Sequence, residues 1–105
     1  MIEKIFPYTF SDSKSIEKIV QEVPVAINHV ILYSGDAVPE HYTNSNVYLI
    51  IVKGNITLKL NEQEIITYNS GNIINIPFNT KMVITNTSDD LLEFFIVKAP
   101  SQMNL

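Results

Sequence analysis

From residue 25 to residue 98, apolar residues come in short runs or in strict alternation, cut by polar turns. Val25–Tyr33 is rich in β-branched and aromatic residues and stops at Gly35-Asp36. Val47–Lys53 stops at Gly54-Asn55. Ile56, Leu58 and Leu60 alternate with Thr57, Lys59 and Asn61, the period of a strand with one buried face. Asn61-Glu62-Gln63 predicts a hairpin loop into Glu64–Tyr68. Ile73–Ile76, Met82–Thr85 and Leu91–Val97 complete the series, separated by polar turns such as Asn69-Ser70-Gly71-Asn72 and Ser88-Asp89-Asp90. Short strands at roughly 8–12-residue spacing predict an all-β sandwich or barrel.

The first 24 residues read differently. Residues 2–10 alternate loosely and predict a short leading strand, weakened by Pro7. Ser11-Asp12-Ser13 suits a helix N-cap, and Ile16, Ile19 and Val20 then fall at i, i+3 and i+4. With Pro24 just beyond, this spacing predicts a helix of about three turns. The chain thus divides into an N-terminal strand and helix (1–24) packing on a barrel (25–98), with a tail (99–105), all one domain. Val47–Val52 and Leu91–Val97 are apolar on both faces, whereas a strand facing water on one side alternates. The barrel interior covers one face. The helix or a second subunit must cover the other, so a homodimer is expected.

Composition narrows the partners. The 105 residues carry 7 basic and 11 acidic side chains, a net charge of -4, with no basic patch for a nucleic-acid backbone. There is no cysteine, which removes disulfides, thiolate ligands and thiol nucleophiles together. The opening residues lack a signal-peptide pattern, and the Val47–Val52 run is too short to span a bilayer, so a cytoplasmic location away from membranes is expected. Gly-rich phosphate loops, nucleophile elbows, His-Glu-x-x-His and EF-hand loops do not occur. His29 and His41 are the only histidines. Asn28 and His29 are adjacent on one strand, so one points into the barrel and the other out.

Gly35, His41 and Gly54 share a spacing, as do Gly71, Pro77 and Asn86. In that order they resemble the two motifs of the cupin family, over about residues 25–98. The resemblance implies an antiparallel double-stranded β-helix, or jelly-roll barrel. It also implies a metal site of three histidines and a glutamate facing the barrel interior. Only His41 of those four is present. Thr43 stands at the second histidine, Val47 at the glutamate and Met82 at the third histidine, while Asn79 replaces the second glycine of the second motif. A catalytic transition-metal site needs about three protein ligands, so no metal cofactor is expected.

What remains is a barrel with an apolar lining. Val47, Leu49 and Met82 read as its wall, Phe78 as an aromatic at its rim, and His41, Thr43 and Asn86 as groups that would orient a small molecule. Plain core packing is the competing reading for the apolar three. A non-catalytic, metal-free protein binding a small molecule in the barrel is expected. One alternative is an isomerase, lyase or oxygenase-like enzyme, using either a divalent metal on His41 and His29 or His41 as a general base. Another is a ligand-free accessory dimer.

Overall fold

The structure, a computed structural model, describes residues 2–102. These residues form nine strands: β1 Ser15–Gln21, β2 Ala26–Leu32, β3 Ala37–Tyr42, β4 Val47–Lys53, β5 Asn55–Leu60, β6 Ile66–Asn69, β7 Ile73–Ile76, β8 Lys81–Thr85 and β9 Leu92–Lys98. A five-stranded sheet runs β1-β2-β9-β4-β7 and a four-stranded sheet runs β3-β8-β5-β6, with every pair antiparallel. The two sheets enclose the core. Val30, Leu32, Val47, Leu49, Ile51, Leu92, Phe94 and Ile96 come from the first; Ile56, Leu58, Met82 and Ile84 come from the second. The two-residue period of β4, β5 and β9 is what places these side chains on one face of each sheet.

Two N-terminal expectations are corrected. Residues 2–10 form no strand, and the segment read as a helix is β1. Ile16 pairs with Val30 and Val20 pairs with Ile27, and the register slips between Lys18 and Val20. That bulge lets two residues oppose one, so it changes the strand's phase and mimics the three-and-four spacing of a helix. Ile16, Ile19 and Val20 are also β-branched, which disfavours a helix and suits an edge strand along β2. The barrel sheet therefore begins at residue 15, not 25.

The outer face of the five-stranded sheet is apolar, as the two-faced strands require. Its cover is the irregular segment before β1. Phe6 and Tyr8 lie over Ile27, Phe95 and Val97. The Tyr8 ring sits 4.9 Å from both His29 and Phe95. By contrast, the outer face of the four-stranded sheet is polar, with Thr57 bonded to Thr67 at 2.8 Å and to Thr87 at 2.9 Å.

Two turns show why the backbone signals in the sequence are where they are. Asn79 has φ of 63°, the left-handed region that asparagine tolerates best after glycine. Gly54, at φ 82°, joins β4 to β5, and a Cβ there would lie 2.2 Å from the Leu91 carbonyl oxygen. No other residue fits that close approach.

Candidate functional site

A cavity of about 160 Å³ opens at one end of the barrel, between β2, β3, β4, β8 and β9. Its floor is apolar: Val30, Val47 and Met82 are fully buried, and Ile96 nearly so. Val38 and Ile16 close the sides, and Asn28, His41, Asn44 and Lys98 stand at the mouth. The register explains the convergence. His41 is the cross-strand partner of Met82, and Val47 is the partner of Lys98, so each pair projects to the same inner face. A bulge in β3 between Val38 and His41 keeps both on that face. Asn28 points in and His29 points out, which resolves the ambiguity in β2.

Four of the residues proposed from sequence meet here: His41, Thr43, Val47 and Met82. Three do not. Leu49 lies deeper in the core and is fully buried. Phe78 is half-buried in the turn after Pro77 and does not line the cavity. Asn86 shares the inner face of Met82 but follows the far end of β8. There its Nδ2 donates to the carbonyls of Leu32 at 3.2 Å and Asp90 at 2.8 Å, and its Oδ1 accepts from Ser88. It is a buried splice between two turns. Sequence reasoning missed Lys98 because β9 was read as ending at Val97. Continuing the alternation of Phe94 and Ile96 by one step puts Lys98 on the inner face.

The polar groups divide by whether they are already engaged. Thr43 is buried, and its hydroxyl donates to Pro77 O at 2.7 Å and accepts from Thr80 N at 2.9 Å. It clamps the β3–β4 turn to the β7–β8 turn, and its one proton is committed, so it cannot donate to a ligand. His41 is exposed, and its Nδ1 lies 2.9 Å from the Pro39 carbonyl. A carbonyl only accepts, so Nδ1 carries the proton and Nε2 is left for other partners. A transition ion would find one imidazole, an occupied hydroxyl, a valine and a thioether. Among the described residues no three His, Cys, Asp or Glu side chains converge on a point. This donor set does not fit a metal of the usual kind.

His29 serves the other side of the sheet. It is fully buried, with Nδ1 2.6 Å from Glu17 Oε1 and Nε2 2.6 Å from Glu93 Oε2. Ionised carboxylates only accept, so both bonds form together when each ring nitrogen carries a proton. Thr9 extends the network, donating from N and Oγ1 to Glu17 at 3.3 and 2.8 Å. The bond from His29, and then that from Thr9, hold the Glu17 carboxyl below its ordinary value. The cluster pins the N-terminal segment to the sheet and takes no part in the cavity.

The chain is similar to known proteins over nearly its whole length. It is 48% identical to an uncharacterized protein of Methanocaldococcus jannaschii, with 100% of this chain and 91% of that one aligned. A crystal structure from the same organism superposes with a TM-score of 0.92 at 50% identity, covering 95% of this chain and 93% of the other. That structure is described as an RmlC-like cupin family protein with a double-stranded β-helix fold. A cupin 2 conserved barrel domain protein of Salinispora arenicola shares the fold alone, with a TM-score of 0.75 at 13% identity over 92% and 88% of the two chains. No protein-family model matches the chain.

Two antiparallel sheets with this strand order and a cavity at one end define a double-stranded β-helix barrel. With the relative from Methanocaldococcus jannaschii nearly half identical from end to end, the chain belongs to the cupin family.

Proposed function

We propose that this cupin is a non-catalytic, metal-free protein that binds a small molecule in its barrel. The observation that carries the reading is the replacement of two metal-ligand positions by Val47 and Met82, which form the floor of a real cavity. A dry apolar cavity of about 150 Å³ accommodates a benzene-sized ligand, which is the size found here. Polar groups confined to the mouth would orient such a ligand without drawing water to the floor. An enzyme using His41 as a general base needs, beyond the Pro39 carbonyl that orients the ring, a second titrating group to complete it. Among the described residues no carboxylate lies within 4 Å of His41. Fold membership alone licenses no activity.

Benzamide, a neutral probe of ring size, tests the reading. Titrated into methyl-labelled protein, it is expected to shift the resonances of Val47, Met82 and Ile96. Val47→Phe, which fills the floor, is expected to abolish those shifts while the β-sheet spectrum persists. Shifts scattered over the surface, or none, would overturn the reading.

The same proposal includes a homodimer through the outer face of the five-stranded sheet. Tyr48, Val52 and Ile73 stay 38–67% exposed there, beyond the reach of the N-terminal cover. The mass of the intact assembly decides it: two chains are expected, and one chain at micromolar concentration excludes it.

A further inference from the structure

Lys98 is out of place in an otherwise neutral lining. None of the residues around the cavity is aspartate or glutamate, although the chain as a whole is acidic. β9 carries Phe94, Ile96 and then Lys98 on the inner face, so an ammonium is aimed at the mouth of an apolar hole. Among the described residues no carboxylate lies within 4 Å of it, as also holds for Lys18, Lys53 and Lys59, whereas Lys4, Lys14 and Lys81 each face one; of the four, Lys98 alone lines the cavity. Lys98 also borders a second, open cleft of about 420 Å³, and the two spaces share Asn28, Asn44 and Lys98. The one acid of that cleft, Glu22, is turned toward Lys4 at 3.7 Å. The residues shared by cleft and cavity are thus one cation and two carboxamides, with a second cation, Lys18, beside Asn28 in the cleft.

Resting on the reading of the cavity as a binding site, we propose that its ligand is a small monocarboxylate with an apolar body of about one ring. The body occupies the floor of Val30, Val47, Met82 and Ile96. The carboxylate lies at the junction, where Lys98 supplies the balancing charge and the amides of Asn28 and Asn44 supply neutral donors. A carboxylate fits better than a phosphate. A single lysine balances one negative charge, and phosphate sites gather several cations or a run of backbone N–H groups. The acidic chain would otherwise repel anions, so a lysine at this opening favours their entry here.

Benzoate and benzamide have nearly the same shape and differ in charge, so together they separate this inference from the reading beneath it. Benzoate is expected to shift the methyls of Val47, Met82 and Ile96 and to bind about 10- to 100-fold tighter than benzamide, the usual span of a hydrogen bond to a charged group. Lys98→Met is expected to erase that preference while benzamide binding is kept, and Lys98→Arg to retain most of it. Equal affinities for the two probes, or a preference unaffected by Lys98→Met, would overturn the inference and leave the cavity reading standing. Benzoate that moves only residues of the outer cleft would overturn it too. If neither probe moves the floor methyls, the cavity reading itself fails.

Discussion

Gly54→Ala is expected to destabilise the protein by about 2–5 kcal/mol, the sum of left-handed backbone strain and forced displacement in a packed region. For a domain of this size that lowers Tm by on the order of 10–30 °C. The two costs have separate origins. At φ 82° any Cβ strains the backbone, and here the Cβ would also fall 2.2 Å from Leu91 O, with the Leu91 carbonyl carbon at 3.1 Å. Backbone cannot swing aside as a flexible side chain can. Gly71 is the internal control: its φ is 90°, but nothing lies within 4 Å of its Cβ position. Gly71→Ala should therefore lose only the strain, about 1–2 kcal/mol. Thermal melts of the two variants side by side check this. Equal losses would show that the contact with Leu91 does not matter.

His29→Ala is the second large effect, an expected loss of about 2–4 kcal/mol. Removing one partner of a fully buried ion pair costs about 3–5 kcal/mol, and the loss here is smaller because both carboxylates retain some water. Glu17 and Glu93 would be left facing each other across a hole beneath Tyr8. Adding Glu17→Gln and Glu93→Gln to His29→Ala should recover part of the loss, because the stranded charges go with the carboxylates. No recovery would mean that packing, not charge, dominates. The same cluster makes a pH prediction. The folded Glu17 carboxyl is held below its ordinary value of 4.5, so its bonds contribute fully above that value and are lost as pH falls through the folded one. The stability gap between the wild type and Glu17→Gln is therefore expected to close as pH falls below the ordinary carboxyl value. Denaturant titrations across that range measure it.

The sequence made the barrel legible because turns and strands depend on local chemistry. Gly54 and Asn79 mark positive φ, and the alternation of Ile56, Leu58 and Leu60 marks a half-buried strand. It failed at β1, where a bulge between Lys18 and Val20 reproduces a helical spacing that only the pairing with β2 explains. The candidate site divides in the same way. Val47 and Met82 could be placed by register, since inner-face positions are set by strand parity. Asn86 could not, because parity gives the face and not the end of the strand: it lies at the opposite end of β8 from Met82, bonded to Leu32 and Asp90. Thr43 lines the cavity, but the bonds that engage its hydroxyl join segments 34 and 37 residues away. Such long-range partners leave no local trace.

In the function proposed above, this barrel has an apolar ligand space where its family motif would place a metal. Metal content of untagged protein, prepared without chelator and measured by plasma mass spectrometry, tests it most directly. Less than about a tenth of an equivalent of any transition metal per chain is expected, because one imidazole does not make a site. Close to one equivalent, lost on His41→Ala, would contradict the claim and make a metal-dependent reaction the leading reading.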